Sequence, residues 1–208
     1  MKTKITIAIL LILFFSQVFG QVVIDKGIYK VNFSNILHVP RYVSYYLFNG
    51  GGDCDRKKMG FSFKNDMNEL DCAKNADYAN NPNHYEKGHM ANAEDFASDC
   101  KKEELTFRYY NCLPQLKELN GQLWNYNEAK IREWSKKEKL YIICGGFFKN
   151  LKMGRIAVPS YCWKVVQSVT TKKVLFCGWF NNFYPVKLDT ISVSELEHRL
   201  NSKLILLR

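Results

Sequence analysis

The chain has 208 residues, of which 47% are hydrophobic and 14% aromatic, and this composition excludes an intrinsically disordered protein. Lys and Arg number 30 against 20 Asp and Glu, so the formal charge is +10. This charge favours a polyanionic partner such as nucleic acid, acidic polysaccharide or an anionic membrane, although it is also consistent with a role in solubility alone.

The first twenty residues have the pattern of a signal peptide. Two lysines precede an eleven-residue apolar run, Ile5–Phe15, and Val18–Gly20 offers a small-residue cleavage site. The run is shorter than the roughly twenty residues that cross a bilayer, although an N-terminal anchor is the alternative. We therefore expect a secreted or periplasmic protein without membrane association after cleavage, formed by one domain over residues 21–208. Removal of the two lysines lowers the formal charge from +10 to +8.

The first half of the mature chain contains few regular patterns. Arg41–Phe48 is rich in aromatic and β-branched residues and predicts a strand, which three consecutive glycines end as a turn. Arg56–Asn83 is polar and without periodicity, which indicates long surface loops with at most one short helical turn. A second strand is predicted to follow from Glu103–Asn111 and to end at Pro114.

The second half predicts a helix between two groups of strands. Apolar residues recur at helical spacing within 116–139, and we expect Asn120-Gly121 to interrupt this pattern so that the helix begins there. Leu140–Cys144 predicts a buried strand that Gly145-Gly146 closes. A strand pair and a final helix are expected further on, at 161–166, 173–180 and from Ser192. The order predicts an α+β domain with a mainly antiparallel sheet.

Seven cysteines occur, none of them in a Cys-x-x-Cys pair, so a structural zinc site is not indicated. In an exported protein they predict up to three disulfides and one remaining thiol. An odd count is also consistent with several free, buried cysteines.

His89 is the candidate catalytic residue. It follows Glu86, Lys87 and Gly88, a mixture too polar for a core strand and unsuited to a helix interior. Of the other histidines, His38 and His198 have neighbours typical of structural or surface residues, whereas the Asn-rich loop around His84 leaves its role open.

Three residues downstream of the histidine share one face of the predicted helix. Asn120, Trp124 and Glu128 are spaced i, i+4, i+8. An asparagine oxygen suits a hard cation such as Mg²⁺ that keeps most of its waters, and the glutamate lies two turns further on. Without other information, a helix cap at Asn120 and a solvated surface glutamate are equally consistent with the spacing.

The ordered set of these residues resembles the DNA/RNA non-specific endonucleases, the ββα-metal family of the Serratia nuclease and mitochondrial endonuclease G. The family signature Asp-Arg-Gly-His is similar to residues 86–89. The likeness continues downstream and spans roughly residues 40–200, through Ala91, Ala93, Asp95, Phe96, Asn111, Pro114-Gln115, Asn120, Trp124, Glu128, Gly145-Gly146, Val158-Pro159 and Trp163–Val166.

The resemblance implies a ββα-metal finger and a role for each candidate residue. His89 would be the general base, Asn120 would hold one hydrated Mg²⁺, with Mn²⁺ or Ca²⁺ as alternatives, and Glu128 would orient the waters of the metal. Asn111 would support the site through hydrogen bonds. Lys87 would face the phosphate in place of the family arginine, which puts rate and specificity in doubt because lysine cannot bind phosphate bidentately.

The implied activity is hydrolysis of DNA and RNA to products with 5′-phosphates. No sequence-reading module is visible, so little sequence preference is expected. A nucleic-acid-binding relative with weakened catalysis and a phosphodiesterase of small nucleotides are the alternatives.

Overall fold

The computed structural model describes residues 21–79 and 81–208. The signal peptide predicted for residues 1–20 lies outside the described residues. No helix within the described part has the length and apolar character needed to cross a bilayer.

Seven strands form one antiparallel sheet with the order β1-β2-β3-β6-β9-β10-β11. These strands are β1 Gln21–Asp25, β2 Lys30–Ser34, β3 Val39–Leu47, β6 Leu140–Phe147, β9 Tyr161–Ser168, β10 Val174–Asn181 and β11 Leu188–Thr190. A short pair, β7 Lys152–Met153 and β8 Ile156–Ala157, lies apart from it. The predicted α+β class with a mainly antiparallel sheet is confirmed.

The two faces of this sheet carry separate hydrophobic clusters. In β9, Cys162 and Val166 belong to the larger cluster, whereas Trp163 and Val165 belong to a smaller one on the other face. This alternation follows from the period of two along a strand. The larger cluster includes the site elements, and the smaller one is covered by the C-terminal helix and the residues after it.

A ββα unit packs on the larger cluster. Its strands, β4 Glu86–His89 and β5 Cys112–Gln115, pair antiparallel and leave the sheet order unchanged. A π-helical turn over Leu119–Trp124 follows and runs directly into helix α2, Asn125–Ser135. The other helices are α1 Cys100–Thr106 and α3 Val193–Leu200, with 3₁₀ segments at Asn75–Tyr78, Ala93–Phe96 and Tyr109–Asn111.

The strand predicted to follow from Glu103–Asn111 is present as β5, although the residues before it and its end differ from the prediction. Asp99 caps α1 by accepting hydrogen bonds from two backbone N–H groups, so the segment begins as helix. The strand starts only at Cys112, and Pro114 lies inside it rather than ending it. The two-stranded ladder tolerates the proline because β5 has no second neighbour that would need its missing N–H.

The two predicted interruptions have different outcomes. Asn120-Gly121 lies within the π-helical turn that precedes α2, so the regular α-helix begins near these residues, as predicted. Gly145-Gly146 continues β6 instead of closing it. A Cβ at Gly145 would meet the Arg41 carbonyl oxygen at 2.2 Å, so glycine serves close packing within the strand there, not a turn.

The remaining predicted elements are confirmed. β3 matches the strand expected over Arg41–Phe48, and β9 and β10 form the expected antiparallel pair. Ser192 caps α3 by accepting a hydrogen bond from the Glu195 N–H at 3.1 Å. Within the described part of Arg56–Asn83 the structure has one short 3₁₀ turn, as the polar composition predicted.

One of the up to three expected disulfides is present, whereas the expectation of a single remaining thiol is wrong and the alternative of several free, buried cysteines is confirmed. The described residues contain one disulfide, Cys54–Cys100. The free thiols are all buried: Cys72, Cys112, Cys144, Cys162 and Cys177. Strand register prevents a disulfide between two of them, Cys144 and Cys162, which are in neighbouring strands. Cys144 lies opposite Lys164 and Cys162 opposite Gly146, so neither cysteine faces the other across the ladder.

Candidate active site

His89 is the last residue of β4, and its backbone is held from three directions. It lies opposite Cys112 in the β4–β5 ladder. The Trp124 indole Nε1 donates to the His89 carbonyl oxygen at 3.2 Å, and the Met90 N–H donates to the Asn111 carbonyl oxygen at 2.8 Å. The ladder, the π-helical turn and the turn before β5 therefore jointly define where the histidine points.

Gly88 is required by the packing between the two strands of the unit. A Cβ at this position would lie 1.8 Å from Oε1 of the buried Gln115 side chain. No side-chain atom can be added without displacing that residue. The glycine before the histidine is thus explained by close packing, since its φ is not in the left-handed region.

The His89 imidazole lies between aromatic rings. Its centroid is 4.7 Å from that of Phe63 and 4.7 Å from that of Phe107, the second contact being edge-on. Nε2 is buried and has no hydrogen-bond partner among the described residues, although the residue as a whole is only half-buried. Burial, and secondarily the charge of Arg56, lowers the pKa of His89 to about 3. The ring is therefore neutral near pH 7 and can accept a proton.

Lys87 shares a strand face with the histidine but has its own partners. Its Nζ donates to Asn75 Oδ1 at 3.0 Å. The ammonium also lies over three aromatic rings, 5.2 Å from the centroid of Tyr78, 5.8 Å from that of Phe63 and 5.9 Å from that of Tyr109. One of these rings, Phe63, also packs against the His89 imidazole in a tilted arrangement, so the cation and the imidazole contact the same side chain.

Asn120 contacts β4 through the Glu86 side chain. Its Nδ2 donates to Glu86 Oε2 at 2.8 Å, which leaves the Asn120 amide oxygen beside a carboxylate. The pairing brings together residues 34 positions apart. It was not predicted, since the sequence analysis gave Glu86 no role toward a metal.

These two oxygen donors fit a hydrated magnesium ion. Within residues 21–79 and 81–208 no group of three or more His, Cys, Asp and Glu side chains is placed to hold a metal. A cage built from these four side-chain types alone is therefore not present there. Mg²⁺ commonly keeps several waters and binds through one or two protein oxygens, which Asn120 and Glu86 can supply.

Glu128 is buried in an ion pair. Its Oε1 accepts from Lys164 Nζ at 3.2 Å, and Oε2 accepts from Asn92 Nδ2. The lysine is completely buried and its Nζ lies 4.0 Å from the centroid of the Trp124 ring. Trp124 and Glu128 thus share a helix face as predicted, and the face is stabilised by a cation from the central sheet.

The hydrogen-bonded network extends from Glu128 through Asn92 to Asp95 and to Tyr45 in β3. Arg132 donates to Asn92 Oδ1 at 3.1 Å and to Asp95 Oδ1 at 3.3 Å, and the Tyr45 hydroxyl donates to Asp95 Oδ2 at 2.8 Å. Burial, and then the nearby charge of Glu128, raises the pKa of Asp95 to about 6. Two acids and two cations therefore compensate one another behind the candidate base.

Asn111 has a supporting position and no access to a substrate. It is completely buried. Its Oδ1 accepts from the Ala91 N–H at 2.9 Å, and its Nδ2 donates to the carbonyl oxygens of Ala91 at 3.0 Å and Thr106 at 2.8 Å. These bonds hold the backbone immediately after His89.

Three contributors to this site were missed by the sequence analysis. Arg56 is a cation whose charge lowers the pKa of the His89 imidazole, and it forms an ion pair with Glu94 at 3.4 Å. Phe63 and Phe107 enclose the ring. Arg56 and Phe63 come from the polar segment that showed no periodicity, so only their tertiary contacts reveal them.

Comparison with known proteins finds one matching family and several similar sequences. The family model described as DNA/RNA non-specific endonuclease matches residues 11–199. A nuclease from Nostoc sp. is 34% identical over 86 residues, 39% of this chain and 31% of its own length. The mitochondrial nuclease EXOG of Danio rerio is 28% identical over 144 residues, 61% of this chain and 41% of its own. Human mitochondrial endonuclease G is 27% identical over 130 residues, 55% of this chain and 43% of its own.

The alignments thus cover less than half the length of each of these relatives. A crystal structure titled as the EndoG/EndoGI complex is similar in fold, with a TM-score of 0.71 over 88% of this chain and 84% of that one. At 21% identity this similarity concerns the fold alone.

Proposed function

Because the chain belongs to the DNA/RNA non-specific endonuclease family, we propose that it is an exported, metal-dependent endonuclease. It hydrolyses phosphodiester bonds of DNA and RNA with little sequence preference and leaves 5′-phosphates. The observation that carries this proposal is the neutral, unpartnered Nε2 of His89, held in the same ββα unit as the Asn120–Glu86 oxygen pair.

His89 acts as the general base. Its Nε2 takes a proton from the attacking water, which a neutral imidazole can do and an imidazolium cannot. A phosphodiester bound beside the ring brings a negative charge, which favours the protonated imidazole and raises its pKa from the low value of the free protein. The enclosure by aromatic rings limits bulk water at Nε2, so the substrate strand must displace part of this wall.

Asn120 and Glu86 would hold the metal ion, Mg²⁺ in the first instance, with Mn²⁺ and Ca²⁺ as alternatives. When bound, such an ion supplies charge neutralisation at the phosphate and at the departing 3′-oxygen. Glu128 keeps two lone-pair positions beyond those used by Lys164 and Asn92, because a carboxylate accepts about four hydrogen bonds, and these serve to orient water.

The charge of the protein supports a substrate read through its backbone. The mature chain carries +8; Lys87 shares the Phe63 ring with the candidate base, and the charge of Arg56 acts on its imidazole. Phosphate contacts of this kind carry no sequence information and weaken as salt rises.

Export is supported by two observations. The N-terminal pattern is that of a signal peptide, and the Cys54–Cys100 disulfide is typical of a protein that folds in an oxidising compartment. Secretion and a periplasmic location agree equally with both.

One alternative has a specific observation in its favour. Lys87 is engaged by Asn75 and three rings, and the reactive nitrogen of His89 is enclosed, as expected for a relative that binds nucleic acid but cleaves it slowly. Tight binding of DNA without cleavage would favour this alternative.

The decisive experiment is digestion of plasmid DNA and of a single-stranded RNA by the mature protein with Mg²⁺, with EDTA, and in the His89→Ala form. We expect cleavage only by the unmodified protein with Mg²⁺. The matched control is His84→Asn, which changes an exposed histidine in a loop whose left-handed φ of 54° asparagine accepts. Cleavage that persists in EDTA or in His89→Ala would overturn the mechanism.

A further inference from the structure

The sheet face opposite the ββα unit carries a second polar and aromatic site. A cavity of about 470 Å³ lies there between the strands and the residues after α3. This volume is within the range of small-molecule sites. Its lining includes no carboxylate side chain, in contrast to the buried acids around His89.

The floor of the cavity is one row of residues across the sheet. The ladder pairs Asn32 with Tyr42, Tyr42 with Gly145, and Gly145 with Trp163. A Cβ at Gly145 would lie 2.9 Å from Trp163 Cζ2, so the missing side chain lets the indole lie close over the neighbouring strand. Tyr42 and Trp163 therefore lie on either side of Gly145 in this aromatic row, and Phe147 and Phe148 also line the cavity.

Two buried polar atoms of this row have no partner within the described residues. These are the Nε1–H of Trp163, a residue that is 2% exposed, and the Oδ1 of Asn32. An unpaired buried donor and acceptor each carry a desolvation cost, and both residues line the cavity. A ligand that offers both an acceptor and a donor would remove the cost.

The rim of the cavity is basic. Arg41 and Lys149 line it, and neither forms an ion pair among residues 21–79 and 81–208. Lys203 lies on the other side and is neutralised by Glu197 at 2.6 Å. Two cations without ion-pair partners among the described residues can neutralise about two negative charges of a ligand at the rim. An arginine can also bind phosphate bidentately.

The outer wall is held in place. The residues after α3 are pinned to the sheet by two hydrogen bonds of 2.8 Å between the Gln167 side chain and the backbone of Leu207. The Leu204 N–H also donates to Glu197 Oε1 at 3.0 Å. The cavity is thus a formed site with a defined wall.

We propose that this cavity binds a nucleoside 5′-phosphate, with the base against the aromatic row and the phosphate on Arg41 and Lys149. Aromatic rings stack on any base, the unpaired indole N–H and amide oxygen meet polar groups of the base, and the cations take the phosphate. The ligand is either a free mononucleotide or the 5′-phosphorylated end of a strand. The second source rests on the proposed function, which generates such ends.

Binding is tested by calorimetric titration of the unmodified protein with 5′-AMP, adenosine and inorganic phosphate as separate probes. We expect 5′-AMP to bind more tightly than either fragment, and binding to weaken as salt rises. Arg41→Gln/Lys149→Gln should weaken 5′-AMP binding by about tenfold or more, the loss of one or two charge-assisted hydrogen bonds. The charge-matched control is Lys101→Gln/Lys137→Gln, two exposed lysines that do not line the cavity.

A second variant separates recognition from folding. Trp163→Phe removes the unpaired N–H together with part of the indole and keeps an aromatic ring, so 5′-AMP affinity should fall severalfold, while urea unfolding on the same samples verifies that the variant is folded. Titration of one short oligonucleotide in EDTA, with and without a 5′-phosphate, distinguishes a strand end from a free nucleotide. Tighter binding of the phosphorylated form assigns the strand end. Equal binding of the two forms together with tight binding of 5′-AMP assigns the free nucleotide.

Three outcomes would overturn the proposal: no binding of 5′-AMP, equal binding of inorganic phosphate, or equal weakening in the control variant. Plasmid cleavage measured on the same samples reports the proposed function independently. Loss of nucleotide binding with intact cleavage rejects this site alone, and the reverse result rejects the nuclease assignment alone.

Discussion

Trp163 and Lys164 are neighbours in β9, yet only one of their buried side-chain nitrogen atoms has partners among the described residues. Lys164 Nζ lies on the face of the ββα unit, where it contacts Glu128 at 3.2 Å and the Trp124 ring at 4.0 Å. Trp163 Nε1 lies on the other face and has no partner among the described residues. The paired nitrogen stabilises the arrangement of the site, whereas the unpaired one is a group that a ligand can use.

His89 is similar to Trp163 because it also has a buried ring nitrogen without a hydrogen bond to the described residues. Within residues 21–79 and 81–208 its buried Nε2 has no partner, while Asn111 and Glu128, which belong to the same site, have theirs. Buried polar groups in folded proteins are normally paired, so an exception in a well-connected region points to chemistry or binding. The same rule therefore identifies both the candidate base and the proposed nucleotide site.

The largest effect is expected from Lys164→Met. Removal of the cation leaves Glu128 charged and buried next to Asp95, so the free energy of unfolding should fall by about 3–5 kcal/mol. Urea unfolding measures this change. Lys139→Met is the control, since Lys139 is an exposed cation over the Tyr46 ring and should change stability by less than about 1 kcal/mol.

The double variant Lys164→Met/Glu128→Leu completes the test of the paired nitrogen. Replacing both charges by apolar groups should recover much of the lost stability, because no uncompensated charge remains. If Lys164→Met alone costs no more than its control, the ion pair does not stabilise the site and the comparison with Trp163 loses its basis.

The second-largest effect is expected in the free energy of unfolding as the pH is lowered from 7 to 3. The pKa of His89 is about 3 in the folded protein and about 6.5 when unfolded, so its neutral form contributes stability above pH 6.5 that is lost as pH falls toward 3. Between these values the free energy of unfolding should fall by up to about 1.4 kcal/mol per pH unit. His89→Gln should flatten this slope in unfolding curves measured from pH 7 to pH 3.

Asp95 supplies a control of opposite sign for that measurement. Because its pKa is raised to about 6, its contribution is present at low pH and is lost as pH rises from about 4 through about 6. Asp95→Asn should therefore make the acid-side slope steeper. A slope that His89→Gln leaves unchanged would mean that the imidazole is solvated and not enclosed.

A smaller effect is expected on the rate of cleavage when Lys87 is replaced. Lys87→Arg should raise the rate of plasmid cleavage, because a guanidinium can bind phosphate bidentately while the ammonium is shared between Asn75 and three rings. Initial rates at several substrate concentrations separate a change in kcat from one in KM. Unchanged kinetics would show that this side chain is not at the phosphate.

The smallest effect separates two tryptophans. Trp163→Phe should change the free energy of unfolding by less than about 1 kcal/mol from the nitrogen itself, since no hydrogen bond is lost. Trp124→Phe removes a similar volume but also the bond to the His89 carbonyl oxygen, and leaves that acceptor buried, at a cost of about 1–3 kcal/mol more. Equal losses in the two variants would show that the Trp163 nitrogen is paired in solution.

Local patterns in the sequence were enough to predict much of the molecule. Alternation and β-branched residues predicted β3, β9 and β10, and the spacing of Trp124 and Glu128 predicted their common helix face. The order of motifs around His89 predicted the family. These features depend on residues within a few positions of one another, or on a residue order that the family shares.

Only the tertiary structure decided which distant groups meet. Asn120 pairs with Glu86, Glu128 with Lys164, and Arg56 approaches His89, over separations of 34, 36 and 33 residues. The single disulfide among the described residues and the place of Gly145 inside β6 are of the same kind. Periodicity tells which face a side chain occupies, but strand register and the packing of the ββα unit on the sheet determine what lies across from it.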